Sequence, residues 1–585
     1  MVKKSNDILK LVLSIAIAVV LGVVLSFKFF KLDVTEEKRH SLTAQTIEVL
    51  ENLDETIFFK VYLTGEIPAE YKRLEAAIEE KLDEFRDFSD DMVDYEFINP
   101  YQVEDINENK RFWEKLYDNG VKYTNLSFRK NGVKQDLTIF PGALMNYNGK
   151  DYPINFLKAG TKAGESQDMI NASITNLEYE LISKVTQYMR RERPRIAVLE
   201  GHGELMDVQL ASISNSLNEF YDLERVSLDE YINALTEKIP GMTNRNLLYD
   251  AAIVAKPTKS FSKRDQFIID QFIMNGGKML WFIDPMAADL DSLINGEQAM
   301  SVPQNLGLDN MLFDYGARIN NDLIIDYNCL PIEVDAGPMG DKRQKMLVPW
   351  FYSPRLFIDS VLKPYHPINK NLNNVMSEFV SSIDTIENDI EKTVLLTSSA
   401  ISRRLKSPVR VNINVAQFGF EYFENKATLD PYSPVAVLLE GEFTSTFKNR
   451  GVADTIINNP DIAYKEMSMP NSMLIVSDGD MIRNDLYPAE GAYRPYPLGY
   501  DPIQNSIAYD NTEFIMNAMN YLLNDKAVIS LRTRTFKSRL LSKAAVENNK
   551  TLIKFMNVGL PIVIVMLFGV AMFVYRKNKF RKATT

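Results

Sequence analysis

The chain of 585 residues is 45% hydrophobic and 25% charged, which excludes a disordered chain, and its length predicts about two to four domains rather than one core. The formal net charge of −12 excludes a nucleic-acid partner, because phosphate binding requires a concentrated basic face. The single cysteine, Cys329, excludes an internal disulfide and a cysteine-based zinc site, and its apolar surroundings favour a buried side chain over a catalytic thiol.

The first predicted element is a membrane anchor within residues 1–30, whose N-terminus is predicted to be cytoplasmic. Leu11 to Phe27 is an almost uninterrupted apolar run that, with Ile8 and Leu9, reaches the roughly 20 residues a bilayer requires. No small-residue cleavage site follows, so we predict an uncleaved helix. Small side chains recur at every fourth position: Ser14, Ala18, Gly22 and Ser26. This spacing predicts a packing face for another helix, although small residues are also simply common in membrane helices.

Residues 31–190 are predicted to form a thioredoxin-like α/β domain that ends in a linker helix. Its pattern is strand, helix, strand, helix and then two hairpins, with the amphipathic helix at Pro68 to Phe88. Asn131-Gly132 and Asn148-Gly149 mark the hairpin turns, because Asn-Gly favours the tight I′ turn. The chain has no CxxC motif here, so disulfide chemistry is excluded.

Residues 191–530 are predicted to form a Rossmann-like or class I amidotransferase-like domain with insertions. Its centre is Tyr249 to Pro285, where two unbroken apolar runs flank a helix from Ser262 that Gly276 and Gly277 end. Unbroken runs predict a parallel sheet covered on both faces. Arg195 to Leu199 is predicted to be a further strand of the same sheet. Four later segments are predicted to complete or flank it: Leu323 to Asp326, Val394 to Thr397, Val435 to Leu439 and Ser472 to Val476.

The chain is predicted to return to the membrane after this domain. Residues 531–554 form a juxtamembrane connector, Phe555 to Tyr575 a second spanning helix, and 576–585 a basic tail. The positive-inside rule places this tail in the cytoplasm, and two spans then place the N-terminus on the same side. We therefore predict a two-pass protein of the bacterial inner membrane with the bulk of the chain in the periplasm.

Four side chains are candidate ligand contacts because they follow apolar strands, at whose carboxyl ends α/β sheets bind ligands. They are His202, Glu204, Asp284 and Asp478. Structural roles remain the alternative: glycines permit the turn at Gly201 to Glu204, Glu204 can cap the following helix, and the two aspartates occur in ordinary turns.

The sequence predicts no catalytic residue, no metal site and no cofactor. His202 has no serine or cysteine nucleophile in its turn, no HExxH motif and no nearby second histidine. A G-x-x-x-x-G-K-[ST] motif is also absent, so a P-loop mechanism of ATP hydrolysis is excluded and energy must come from another subunit.

Several segments together resemble the gliding-motility-associated ABC transporter component GldG of Bacteroidetes-type bacteria. They are DVTEEKRHSLTAQTIEVLENL after the first anchor, RPRIAVLEGHGEL, the YDAAIVAKP to GGKMLWFIDP unit, SMLIVSDGDMI and the C-terminal anchor. The resemblance covers nearly the whole chain. It implies an auxiliary extracytoplasmic subunit, customarily labelled a substrate-binding protein, that works with a separate permease and a cytoplasmic ATPase. It also implies an ectodomain related to one in intraflagellar transport proteins.

The expected function is therefore a non-catalytic, membrane-anchored auxiliary subunit of an ABC transporter that supports gliding motility or surface-protein export. One alternative is an extracytoplasmic solute receptor that uses the turn at His202 and Glu204 and the strand ends at Asp284 and Asp478. A second is a hydrolase or amidotransferase relative based on His202. The sequence identifies neither the client nor a ligand.

Overall fold

The chain forms two compact units in the computed structural model: Met1–His40 together with Thr535–Thr585, and Ser41–Arg534. The structure describes the following residues: 13, 41–101, 106–130, 133–157, 166–190, 192–229, 231–238, 245–290, 293, 298–339, 342–357, 366–369, 372, 374–412, 415, 420–448, 462–489, 491–523, 549–550 and 555–581. The first predicted anchor, with its packing face Ser14, Ala18, Gly22 and Ser26, lies outside them except for Leu13.

The large unit begins with a four-stranded sheet of order β2-β1-β5-β6, in which β1 and β2 are parallel and β5 and β6 are antiparallel. A separate hairpin, β3-β4, precedes β5, and Asn148 has a φ of 51° in the turn of the β5-β6 hairpin, as predicted for an Asn-Gly turn. The elements are α1 Ala44–Glu51, β1 Ile57–Val61, α2 Ala69–Phe88, β2 Val93–Phe97, α3 Ile106–Asp118, β3 Thr124–Lys130, β4 Val133–Ile139, β5 Gly142–Tyr147, β6 Lys150–Asn155 and α4 Ser166–Tyr188.

The next part of the chain contains the predicted strand, helix, strand unit. Its two strands, β11 and β12, are parallel, and Gly276 follows the helix α6 with a left-handed φ of 104°. These predictions are confirmed. The elements are β7 Arg195–Glu200, α5 Ala211–Asn218, β8 Asp222–Ser227, β9 Thr236–Lys238, β10 Arg245–Leu247, β11 Ala251–Ala255, α6 Lys263–Met274, β12 Lys278–Phe282 and β13 Met286–Ala287.

The remainder of the large unit completes the main sheet and adds a flanking layer of small sheets. Helices are α7 Asp309–Tyr315, α8 Glu421–Glu424 and α9 Asn511–Leu523. Strands are β14 Gln298–Pro303, β15 Ala317–Ile319, β16 Asp322–Asp326, β17 Cys329–Met339, β18 Lys342–Phe357, β19 Asn374–Met376, β20 Ile383–Thr385, β21 Glu391–Thr397, β22 Ser402–Lys406, β23 Val409–Asn412, β24 Pro434–Gly441, β25 Asn471–Val476, β26 Leu486–Ala489, β27 Ala492–Pro495, β28 Tyr500–Asp501 and β29 Ser506–Ile507.

The main sheet runs in the order β17-β18-β21-β24-β25-β12-β11-β7-β8, with β19 beside β18. Strands β8, β7, β11, β12 and β25 are mutually parallel, and β24 pairs antiparallel with β25. Helices α5 and α9 contribute side chains to the core on one face, whereas α6 and α7 contribute to the core on the other. The apolar strands are therefore covered on both sides, as their unbroken pattern predicted.

The smaller unit contains one described helix of membrane length. A π-helical turn, Phe555–Gly559, leads into α10, Leu560–Arg581. Residues Phe555–Tyr575 have a mean hydropathy of 2.5, and none of this stretch is buried against the rest of the chain. By length and composition it is the single described helix able to cross a membrane, and it coincides with the predicted second span.

Candidate functional site

The carboxyl ends of the parallel strands hold all four candidate residues. From β7 the chain first adds β8 on one side and then β11 on the other, so the strand order reverses between β7 and β11. Such a reversal opens a crevice at the carboxyl edge of an α/β sheet. His202 and Glu204 follow β7, Asp284 follows β12 and Asp478 follows β25. The structure groups them into two clusters.

The first cluster surrounds the imidazole of His202. Glycines make the turn possible, because Gly203 has a φ of 75° and a Cβ there would lie 2.1 Å from Thr258 Oγ1. His202 Nε2 lies 3.2 Å from Asp265 Oδ2, and Nδ1 lies 3.3 Å from Glu204 Oε1, an ion-pair distance without a well-formed hydrogen bond. The ring stacks on Phe261 with centroids 3.8 Å apart.

Both carboxylates of this cluster also shape the backbone. Glu204 Oε2 accepts a hydrogen bond of 2.6 Å from the backbone N–H of His202. Asp265 completes a capping box with Ser262 at the start of α6. Burial lowers the pKa of His202, but the proximity and negative charges of Glu204 and Asp265 outweigh it and raise that pKa above its usual value. The cluster therefore favours a charged imidazolium held between two carboxylates.

The second cluster joins the ends of β11, β12 and β25 through the ammonium group of Lys256. Its Nζ lies 3.1 Å from Asp284 Oδ2 and 2.5 Å from Asp480 Oδ1. Lys256 ends its strand with a left-handed φ of 52°, and a Cβ on Gly479 would lie 2.6 Å from Lys256 Cγ, so glycine leaves room for the lysine. Burial lowers the pKa of Lys256, but the charges of Asp284 and Asp480 raise it by more.

Asp478 acts on the backbone rather than on a cation. Its Oδ1 accepts hydrogen bonds from the N–H groups of Asp480, at 2.8 Å, and Met481, at 3.1 Å, and so stabilises the start of the 3₁₀ turn Asp480–Ile482. Its Oδ2 accepts one of 3.1 Å from the N–H of Glu378. Burial and the nearby charges of Asp480 and Asp284 raise the pKa of Asp478 well above its usual value.

An arginine extends this cluster to the flanking layer. Arg483 Nε lies 2.9 Å from Asp480 Oδ1, and Nη2 lies 3.3 Å from Glu378 Oε2. Burial and the charge of Asp480 raise the pKa of Glu378 to about 8, although 18% of its side chain remains exposed. Burial and Asp480 likewise raise the pKa of Asp284, against the opposing charge of Lys256.

The carboxylates at the carboxyl edge of the sheet thus already have partners within the same chain. The carboxylates of Asp284, Asp478 and Asp480 lie close enough together for one cation, and the ammonium of Lys256 already contacts two of them. Both ring nitrogens of His202 face carboxylates, which leaves no nitrogen directed at a nucleophile among the described residues. The side chains of the two clusters therefore form ion pairs and cap the backbone of the adjoining turns and helix.

Sequence reasoning located the four residues but missed most of their partners. Five charged residues of the two clusters were not predicted as site residues: Lys256, Asp265, Glu378, Asp480 and Arg483. The capping-box spacing Ser262 to Asp265 was a readable local signal. Glu378 had no such signal, because its partner Arg483 lies 105 positions away along the chain.

Family models match two parts of the chain, and a related protein matches nearly all of it. A family model described as an ABC-type uncharacterized transport system matches residues 193–518, and one described as a domain of unknown function, DUF7088, matches residues 36–146. An uncharacterized protein of Borreliella burgdorferi is 22% identical over 590 residues, covering 99% of this chain and 100% of that relative. The mmIFT52 N-terminal domain aligns with 57% of this chain and 98% of its own, at 9% identity and a TM-score of 0.29.

Proposed function

The chain belongs to the ABC-type uncharacterized transport system family, whose model matches more than half of its length, and from this premise we propose that it is a non-catalytic, membrane-anchored auxiliary subunit of an ABC transporter. Its large α/β unit lies on the extracytoplasmic side. It works with a separate permease and a cytoplasmic ATPase, because its own sequence has no P-loop with which to hydrolyse ATP.

The carboxyl edge of the sheet is the observation that carries the non-catalytic part of the proposal. A general base needs a free nitrogen or oxygen within hydrogen-bond reach of the proton that it removes. His202 Nε2 is instead paired with Asp265, and Nδ1 faces the carboxylate of Glu204 at 3.3 Å. Asp284 contacts Lys256, and Asp478 accepts hydrogen bonds from backbone N–H groups. This pairing favours a scaffold over a hydrolase or amidotransferase based on His202, and over a solute receptor that uses these side chains.

Membrane anchoring rests on the exposed apolar helix at Phe555–Tyr575 and the basic residues that follow it. With Leu11 to Phe27 as a first span, the basic tail places both termini in the cytoplasm and residues 31–554 outside it. We therefore propose a two-pass protein of the bacterial inner membrane. The role in gliding motility or surface-protein export rests on the resemblance to GldG.

We further infer that the large unit holds two domains. The order β2-β1-β5-β6 followed by α4 supports a thioredoxin-like fold for residues 31–190. The parallel order β8-β7-β11-β12-β25, with helices on both faces, supports a Rossmann-like or class I amidotransferase-like fold for residues 191–530. The two family models match within these boundaries.

Affinity purification of the tagged, full-length chain from gently solubilised membranes tests the proposal. Mass spectrometry is expected to identify an ABC permease and an ATPase that are absent when the same tag is carried by an unrelated membrane protein of the same cells. A chain with His202→Ala is expected to recover both in the same ratio to the tagged chain itself, because no catalytic step depends on the imidazole. Recovery of neither component, while other membrane complexes survive the detergent, would refute the transporter role.

A further inference from the structure

The flanking layer of small sheets carries a patch of exposed apolar side chains. The rings of Tyr327 and Phe420 have centroids 6.1 Å apart, and the Ile401 carbonyl accepts a hydrogen bond of 3.0 Å from the N–H of Tyr327. Tyr422 lies in α8, the short helix that follows Phe420. These four residues, the apolar patch, are between 37% and 52% exposed. Single exposed apolar residues are normal on a protein surface, whereas a contiguous group indicates an interaction site.

The apolar patch rests on buried groups that hold it in place. Phe351 of β18 is fully buried, and its ring packs against Phe420 with centroids 5.3 Å apart. Asp326, at the end of β16, accepts hydrogen bonds from the N–H of Ser399, at 2.7 Å, and from its hydroxyl, at 2.5 Å. The Oγ of Ser399 in turn accepts one of 3.1 Å from the N–H of Ile401. The patch is therefore pre-organised, which reduces the entropy lost on binding.

Two cations accompany the apolar patch. The guanidinium of Arg403 lies over the ring of Tyr422, 5.7 Å from its centroid. Lys426 follows α8 and is exposed. The neighbouring Arg404 lies within ion-pair distance of two aspartates. Among the residues that the structure describes, no carboxylate lies within ion-pair distance of Arg403 or Lys426.

Two carboxylates belong to the same region. Glu421 and Glu424 lie on either side of Tyr422 in the sequence of α8, and both are exposed. Neither has an ion-pair partner in the described part of the chain. The region thus carries two positive and two negative charges, which cancel. Such a balance does not favour a phosphate surface or a strongly charged partner, because each sign requires its opposite across an interface.

We propose that the apolar patch binds the same patch of a second copy of this chain. In a twofold contact the same surface serves both copies, so every contact occurs twice. Arg403 of one copy then faces Glu421 and Glu424 of the other, and the reverse pairing forms at the same time. A surface with equal numbers of both charges is complementary to itself. The inference goes beyond the proposed function and does not depend on the transporter role.

The residue types of the patch suit a contact of this kind. Tyrosine, phenylalanine and arginine are enriched at the centres of protein interfaces, where they contribute most of the binding energy. The apolar side chains would supply affinity, and the reciprocal charges would fix the orientation of the two copies.

Photo-cross-linking of the full-length chain in native membranes tests the contact. The photoreactive residue p-benzoylphenylalanine replaces Phe420, so that an aromatic ring is kept, and the chain is expressed with two different tags. Illumination is expected to link the two tagged copies. The same residue in place of Phe313 is the control, because Phe313 of α7 is also 46% exposed but lies outside the apolar patch.

A charge exchange tests the pairing itself. Arg403→Glu alone, or Glu421→Arg with Glu424→Arg, should lower the yield of linked copies by at least about tenfold, because like charges then face each other. Mixing these two variants should restore the link between them, which a folding defect in either variant would prevent. Lys406→Glu, at an exposed position of the same strand as Arg403, should leave the yield unchanged.

Each other outcome overturns the proposal. Equal yields at Phe420 and Phe313 would show random collision, and linkage of Phe420 to a different protein or to lipid would make that molecule the occupant. Absence of any product at Phe420 would show that no partner contacts the apolar patch. Failure of the mixed variants to link would show that the charges do not pair. Co-purification of transporter subunits tests the proposed function independently.

Discussion

Replacing Lys256 by methionine is expected to destabilise the large unit strongly. The lysine ammonium contacts Asp284 at 3.1 Å and Asp480 at 2.5 Å, and the two carboxylates have only 4% and 6% of their side chains exposed. Methionine preserves most of the apolar stem, so the change chiefly removes the charge. Removing one partner of a buried ion pair leaves an uncompensated charge and costs about 3–5 kcal/mol of unfolding free energy.

Urea unfolding of the full-length chain in detergent, followed by tryptophan fluorescence, measures this loss. Trp281 is a suitable reporter because it is fully buried on β12, three residues before Asp284. Lys259→Met is the matched control, since Lys259 lies exposed in the same turn and should change stability by less than about 0.5 kcal/mol. Adding Asp284→Asn to Lys256→Met should recover part of the loss. Equal stabilities for Lys256→Met and Lys259→Met would refute the reasoning.

Three further outcomes follow from the shifted pKa values. The pKa of Glu378 is raised to about 8, so the folded state binds this proton more tightly than the unfolded state does. The free energy of unfolding should therefore fall by up to about 1.4 kcal/mol per pH unit between about pH 5 and 8. Glu378→Gln should flatten that slope in unfolding experiments repeated over this pH range. The pKa of His202 is raised, so the interaction of the protonated imidazole with its carboxylates contributes its full stability below about pH 6.5. His202→Gln should therefore lose most stability there and progressively less as the pH rises through the folded-state pKa. A loss of stability that is independent of pH would contradict this. Burial and the charge of Asp326 raise the pKa of the Cys329 thiol to about 11. Alkylation of this thiol at about pH 8 should therefore be slow in the folded chain and fast in urea. Rapid labelling of the folded chain would contradict this expectation.

Local signals in the sequence determined the elements and their order. Apolar runs of strand length, the Ser262 cap, Gly276 and the Asn-Gly turn at Asn148 each act over a few residues, so the elements that carry these signals could be predicted. The membrane helix at Phe555–Tyr575 was predicted for the same reason, since its length and hydropathy are local properties. Placing candidate residues after β7, β12 and β25 required only the rule for carboxyl ends of parallel strands.

Only the tertiary structure decided what those residues do. Lys256 and Asp480 are separated by 224 positions, and Glu378 and Arg483 by 105. Ion pairs of this kind depend on which strands become neighbours, which is a property of the whole sheet and not of any short segment. Sequence reasoning therefore found charged residues at a sheet edge, whereas the fold showed that they neutralise and cap one another.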